Sequence, residues 1–352
     1  MGRAVAASAD YFRTALTTST SPTVPPLLSV IIPCLNEARH LSGVLDGLAS
    51  QDFSDFEIVL VDGGSTDDTL LAARQWAAAH SHVAMRVIDN PHRHTPHGLN
   101  KGVLAAHGQI IARLDGHCRP APDYLRRCLA VLNRPGAAVA GGVFTVRPDG
   151  PGRIAQAIAL AVSTPLGAGD AAYRLGGGAL REVDTVPFGC FRRQTWEVVG
   201  GYNEGLLANE DYEFYVRVRL GGGKVYLDPE ITCEYVARPT FGALARQYWR
   251  YGWWKAQVVR RYPTSLRLRQ AVPALWALIS LALIMIAVIW PPARPAVAAV
   301  WTLYFLVVLA ESLRCSKGDY AMWLLLAWAY LIIHFAWGWG AWIGCLSGRL
   351  RK

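Results

Sequence analysis

The chain has 352 residues, enough for one large domain or two smaller ones, and 52% of them are hydrophobic, high for a wholly soluble protein. The formal charge is +9, which brings two acidic partners into view, nucleic acid and an anionic membrane surface. Seven cysteines without a C-x-x-C pair do not suggest a zinc module or a disulfide framework and fit reduced thiols.

Residues 1–26 are rich in Ala, Ser, Thr and Pro and end in Thr23-Val24-Pro25-Pro26. They lack the continuous apolar stretch of a secretory signal, so they predict a disordered tail and a following domain that stays on the cytoplasmic side. Strand and helix signals then alternate: a β-branched strand over 28–32, a helix over 38–48, a strand over 56–61 and a helix over 69–79. A third strand over 84–88, a helix over 97–106 and a fourth strand over 109–114 follow. Continuous apolar strands separated by helices predict a parallel sheet covered on both faces, with ligands beyond the carboxyl ends of the strands.

Those ends are where the polar clusters fall. Pro33-Cys34-Leu35-Asn36-Glu37 stands where a dinucleotide-binding domain would have G-x-G-x-x-G, which argues against that fold. Asp62 closes the second strand and opens Gly63-Gly64-Ser65-Thr66-Asp67, a turn and helix start. Asp115-Gly116-His117 ends the fourth strand, and on an extended backbone the i, i+2 spacing points both side chains to one side. A carboxylate oxygen and an imidazole nitrogen suit Mg²⁺ or Mn²⁺ carrying a substrate phosphate. Arg113 shares the face of Asp115 and pairs with a carboxylate or phosphate; Lys101 either approaches a pyrophosphate or is a solvated helix lysine.

Further along, Gly176-Gly177-Gly178-Ala179 reads as a lid loop or a plain linker, and Glu210-Asp211 as the acidic start of a helix. Gln247-Tyr248-Trp249-Arg250-Tyr251 opens a basic and aromatic segment, 241–272, carrying Arg246, Arg250, Lys255, Arg260, Arg261, Arg267 and Arg269. Its tryptophans directly abut an apolar stretch, which favours a membrane surface over nucleic acid. Three apolar blocks, 273–290, 296–313 and 320–346, approach or exceed the roughly 18–20 residues a helix needs to cross a bilayer. Three spans from a cytoplasmic start put Arg349, Arg351 and Lys352 of the basic tail (347–352) outside, against the positive-inside rule. Either the upstream cluster dominates, or one block is re-entrant with its tip at Pro291–Pro295.

In this order the three strand-end clusters resemble glycosyltransferase family 2, over roughly residues 27–255. The resemblance implies an α/β GT-A nucleotide-sugar domain (27–240) with a mostly parallel sheet, followed by transmembrane helices (273–346). It assigns Pro33, Asn36 and Glu37 to the nucleoside pocket, Asp62 to a base N–H, Asp115 to ribose and metal, and His117 to metal. The family's D-x-D motif commonly ends in Asp, so His117 is a departure. The Glu210-Asp211 pair, followed by Arg217, matches the family's E-D pattern, with Asp211 as general base and Glu210 in support. The Gln247–Tyr251 segment resembles a Q-x-x-R-W motif with Tyr251 in place of Trp, so Gln247, Arg250 and Tyr251 would meet the acceptor or a diphosphate. Leu114 through Cys118 and Val186 through Arg193 are similar to a type of the family that transfers glucose in exopolysaccharide assembly.

The resulting expectation is an inverting, metal-dependent transfer from a UDP-sugar, UDP-glucose by resemblance, to a polyprenyl-diphosphate-linked saccharide, on a multi-pass protein of the cytoplasmic membrane in contact with lipid and without nucleic acid. The alternatives are a processive polysaccharide synthase and an inactive membrane scaffold. The oligomeric state stays open.

Overall fold

The computed structural model describes residues 25–347. The expected tail at 1–26 lies almost wholly outside them, and so do Arg349, Arg351 and Lys352.

β1 (Leu28–Cys34) and β2 (Phe56–Asp62) are buried almost throughout, as expected of interior strands. Between them α1 (Leu41–Ala49) buries Leu41, Val44, Leu45 and Leu48, a 3-4 spacing that lays one stripe on the sheet. α2 (Thr69–Ala79) leads to β3 (Ala84–Asp89), which is only half-buried because it forms the sheet edge. α3 (Thr95–Ala105) starts with Pro96 in its first turn and runs back to β4 (Ile110–Arg113). A Cβ at Gly102 would fall 2.3 Å from Ile31 Cγ2, so the glycine is what lets α3 lie directly on β1.

The chain continues through β5 (Cys118–Pro120), α4 (Tyr124–Leu132), β6 (Ala137–Arg147), α5 (Arg153–Ala161), and two single-turn helices, α6 (Pro165–Ala168) and α7 (Ala172–Leu175). Then come β7 (Arg181–Glu182), β8 (Cys190–Arg192), α8 (Arg193–Val199), α9 (Glu210–Leu220), β9 (Lys224–Val236) and α10 (Phe241–Arg261). The strand order is β3-β2-β1-β4-β8-β6-β9-β5, with β7 beside β9. The first four strands are parallel, and their register sets Cys34 beside Asp62 and Asp62 beside Asp89. β8 then joins β4 and β6 antiparallel.

The chain forms two compact units. Among the described residues the first comprises 25–142, Leu180–Glu204 and Arg217–Cys233; the second comprises Val143–Ala179, Gly205–Val216 and 234–347. In the second, α11 (Leu268–Ile289), α12 (Arg294–Ser316) and α13 (Tyr320–Leu346) follow α10. All three are long and apolar enough to cross a membrane, with mean hydropathies of 2.6, 1.9 and 1.6. Pro291–Ala293 is a single 3-10 turn between α11 and α12, so the segment considered as a re-entrant tip links two helices of 22 and 23 residues.

α13 is the core of this unit. Leu326, Ala329, Tyr330 and Ile333 pack with Ala157 and Ile158 of α5, Leu244 and Tyr248 of α10, and Val308 of α12. The Thr164 and Tyr330 hydroxyls meet at 2.8 Å. α10 crosses α13 backbone against backbone: a Cβ at Gly252 would sit 2.1 Å from the Trp337 carbonyl oxygen, and one at Gly340 2.2 Å from that of Trp249. Gln257 Nε2 donates to the Gly344 carbonyl at 2.7 Å. The basic segment is therefore not uniformly turned to a surface. Lys255 is 3% exposed, with its ammonium 2.9 Å from the centroid of Tyr212, and Arg269 pairs with Asp170 at 3.0 Å.

Candidate active site

In the first unit the loops after β1 and β2 are stitched together. Asn36 takes a left-handed backbone (φ +58°), which turns the chain at the end of β1. Its amide donates to Ser65 Oγ at 2.9 Å, and its Oδ1 accepts from the Thr66 amide at 2.8 Å. The Glu37 amide donates to Thr69 Oγ1 at 2.8 Å, the Ala38 amide to Asp67 at 3.2 Å, and the Gly63 amide to the Cys34 carbonyl at 2.8 Å. Pro33 enters this loop from β1 and has no amide hydrogen to place.

Asp62 is 3% exposed, and its carboxylate accepts from the Gly64 amide at 3.0 Å, the Ser65 amide at 3.0 Å and the Ser65 hydroxyl at 2.6 Å. It braces the loop from beneath, as a local Asx turn does. Burial, and after it the neighbouring Asp62 carboxylate, push the Cys34 thiol well up, so Cys34 stays protonated and is no nucleophile.

Asp115-Gly116-His117 does not continue β4 as an extended strand, contrary to the sequence reading. It forms a turn into β5 in which the Cys118 amide donates to the Asp115 carbonyl at 3.3 Å. Each of its two polar side chains is held by a neighbour. Arg113, 6% exposed, donates Nη2 to Asp115 Oδ1 at 3.0 Å, which is the carboxylate pairing expected of it. His117 Nδ1 meets Glu37 Oε1 at 3.0 Å. A Cβ on Gly116 would lie 2.9 Å from Glu37 Cγ, so glycine here lets Glu37 reach His117 without shifting. Lys101 donates its ammonium to the Asp89 carbonyl at the end of β3 and is otherwise exposed. Loops 33–37 and 62–67 and the 115–117 turn thus form one cradle at the carboxyl ends of β1, β2 and β4. Among the described residues no group of three or more His, Cys, Asp or Glu is arranged to hold a metal ion.

In the second unit α9 opens at Glu210, as the acidic pair predicts. Glu210 is buried at 6% exposure and Asp211 is half-buried at the helix start, where the dipole favours carboxylates. Asn209 precedes them in a left-handed conformation (φ +59°) and donates Nδ2 to the Tyr251 carbonyl at 3.2 Å. Gln247 Nε2 donates to the Tyr235 hydroxyl at 3.1 Å and the Tyr251 hydroxyl at 3.0 Å, and Arg250 donates to the Leu207 carbonyl. The structure therefore brings Gln247, Arg250 and Tyr251 together with the segment that enters α9, and engages the Arg250 guanidinium in holding it.

The burial of Lys255 escaped the sequence reading, which set it among the surface charges of the basic segment. The signal lay in the helix periodicity: Leu244, Tyr248 and Gly252 mark the inward face of α10, and Lys255 continues it three residues on.

A mostly parallel α/β sheet with acidic strand ends and a hydrogen-bonded loop cradle is the class of fold that binds its ligand beyond the carboxyl ends of its strands. Residues 29–191 match the family model of Glycosyl transferase family 2, so the chain carries a family 2 domain and is a glycosyltransferase. It is 29% identical over 328 residues to the succinoglycan biosynthesis protein ExoA of Rhizobium meliloti (strain 1021), across 92% of this chain and 96% of that one. It is 28% identical over 257 residues to the glycosyltransferase AglE of Haloferax volcanii, across 72% and 81% of the two chains. Among solved structures it is similar to the mannosyltransferase PcManGT of Pyrobaculum calidifontis in complex with GDP-Man and Mn²⁺. The TM-score is 0.61 at 21% identity, over 92% of this chain and 93% of that one, which shows a shared GT-A fold.

Proposed function

We propose that this glycosyltransferase moves a sugar, glucose in the first instance, from a UDP-sugar to a saccharide carried on a polyprenyl diphosphate, with inversion, in exopolysaccharide or related glycan assembly. The observation that carries the donor half is the cradle at the ends of β1, β2 and β4, closed by the Glu37–His117 contact. In this reading Pro33, Asn36 and Glu37 shape the nucleoside side, Asp62 fixes the loop that faces the base, and Arg113 orients Asp115. Lys101, on α3, brings its ammonium to the end of β3 for the diphosphate.

The donor set suits a divalent ion that arrives with the diphosphate. Asp115 and His117 offer one hard oxygen and one imidazole nitrogen, and Mg²⁺ or Mn²⁺ takes its other ligands from phosphates and water. When bound, the ion stabilises negative charge on the leaving nucleoside diphosphate. PcManGT, which shares the fold and was solved with GDP-Man and Mn²⁺, is in keeping with this chemistry.

Asp211 takes the proton of the acceptor hydroxyl as it attacks the anomeric carbon from the face opposite the departing diphosphate. Glu210 supports its environment. The three apolar helices support a multi-pass membrane protein; a catalytic face on the cytoplasmic side of that membrane would hold enzyme and lipid-borne acceptor in one plane at raised effective concentration. Similarity to a succinoglycan biosynthesis protein supports the assignment to polysaccharide assembly.

The test is transfer of label from a panel of UDP-sugars into the lipid fraction of membranes carrying the protein, with Mn²⁺, Mg²⁺ or EDTA. Labelling from one donor, abolished by EDTA and by Asp211→Asn, is the expected result. Label confined to long polymer identifies a processive synthase instead. Label in neither fraction, with folded protein and acceptor lipid present, refutes the reading.

A further inference from the structure

Arg174 stands near the end of α7, two residues before the first of three glycines of positive φ. Its guanidinium carbon lies 5.4 Å from the ring centroid of Tyr173, 5.8 Å from that of Phe144 and 6.0 Å from that of Tyr235. These rings hold one another: Phe144 stacks on Tyr235 at 4.7 Å and meets Tyr173 edge-on at 5.6 Å. Gln247 fastens the Tyr235 hydroxyl to that of Tyr251. The box is thus tied to the Tyr251 backbone that receives Asn209, the residue before Glu210 and Asp211.

The box lacks a counter-charge. Among the described residues no carboxylate and no carbonyl accepts from the Arg174 side chain, whereas Arg147, Arg153 and Arg269 each pair with a carboxylate and Arg250 with a carbonyl. A guanidinium carries five N–H donors in a planar fork that matches phosphate oxygens. Here ring faces fix its orientation and exclude part of its water, which strengthens its field without using its donors. Arg174 is itself only half-buried, so those donors remain reachable.

We propose that Arg174, boxed by Phe144, Tyr173 and Tyr235, binds the diphosphate of the lipid-linked acceptor. This rests on the function proposed above and moves the acceptor's anion from Arg250, which holds the Leu207 carbonyl, to a residue outside the Gln247–Tyr251 motif. The site belongs to the unit that carries the three apolar helices, where a diphosphate on a lipid chain is presented.

The experiment uses the full-length protein in phosphatidylcholine vesicles, with and without phosphatidylglycerol. Two acceptors carry the same saccharide, one on polyprenyl diphosphate and one on a neutral alkyl chain. Wild type should prefer the diphosphate acceptor. Arg174→Gln should lower kcat/KM for that acceptor by about 10- to 100-fold, mainly through its KM, the size expected on losing charged hydrogen bonds. The neutral acceptor should lose far less, the donor KM should hold, and Arg174→Lys should recover part of the preference. Phe144→Leu keeps the charge and should weaken the same preference by a smaller factor. Equal losses on both acceptors would make the box a structural knot and overturn the proposal, as would an unchanged preference. An effect of Arg174→Gln that appears only with phosphatidylglycerol would assign the site to bulk lipid headgroups and overturn it too. If wild type binds UDP-sugar yet transfers to neither acceptor, the acceptor reading itself falls, and this inference with it.

Discussion

Glu37 and His117, 80 positions apart in the chain, meet at 3.0 Å over Gly116, which has no side chain to keep them apart. The contact ties the loop after β1 to the turn after β4. Gly116→Ala should push the Glu37 side chain aside, because the new methyl would lie 2.9 Å from its Cγ. UDP-sugar affinity should fall by about tenfold, and the overpacking should also cost about 1–3 kcal/mol of stability, read as a lower melting temperature. Titration of donor binding beside a melting curve checks both.

His117→Asp should retain transfer and shift the preferred metal. A second carboxylate oxygen is a harder ligand than an imidazole nitrogen and suits Mg²⁺ better relative to Mn²⁺. His117→Ala should lower the rate with either ion. The ratio of initial rates in Mg²⁺ and Mn²⁺ is the measurement.

Asp211→Asn should lower kcat by about 10²- to 10⁴-fold, the usual worth of a general base, and leave the KM of the donor near its original value. Glu210→Gln should cost less, because a residue that shapes the environment of the base takes up no proton itself. Steady-state kinetics with both substrates varied separates these outcomes.

Glu57 is buried at 4% exposure in the first unit and accepts from Ser29 Oγ at 2.8 Å, the His107 amide at 2.6 Å and Arg86 Nη2 at 2.9 Å. Burial alone would raise its pKa, but the His107 amide, the Ser29 hydroxyl and the Arg86 charge together hold it below the ordinary 4.5. A depressed folded pKa contributes stability that is present above 4.5 and is lost as pH falls through the lower value. Glu57→Gln should cost about 1–3 kcal/mol at neutral pH and flatten the acid limb of the stability curve. Melting temperatures of both proteins from pH 7 down to about pH 3 give the comparison.

Gly340→Ala should separate α10 from α13, since its methyl would lie 2.2 Å from the Trp249 carbonyl oxygen, and backbone cannot swing aside as a flexible side chain does. A loss of about 1–3 kcal/mol is expected, read as a lower unfolding temperature in detergent.

The strands and helices around the cradle were legible because their signals are local. β-branched runs bounded by polar loops mark β1 and β2, and the helix over 69–79 is found with those bounds. The strand-end clusters were legible as positions, but their geometry was not. Asp115 and His117 sit on a turn, not on an extended strand, with Asp115 held by Arg113 and His117 by Glu37, and Glu37 lies far away in sequence. Lys255 read as a surface charge because a cation in a tryptophan-rich helix usually is one; the ring of Tyr212 that receives it is supplied by α9. Arg174 left no trace in the motifs, because Phe144 and Tyr235 come to it from distant parts of the chain.

The packing of α13 bears on how this enzyme can be handled. Three apolar helices at the end of a chain invite removal to obtain a water-soluble catalytic fragment. Here a cut before Leu268 would strip Leu244 and Tyr248 of their covering and leave Gly252 facing solvent where a helix had rested. The damage would spread to the unit that holds Asp211, Arg174 and Gln247. The hydrophobic end of this protein is scaffold as much as tether, and a fragment without it should collapse or aggregate, not report on catalysis.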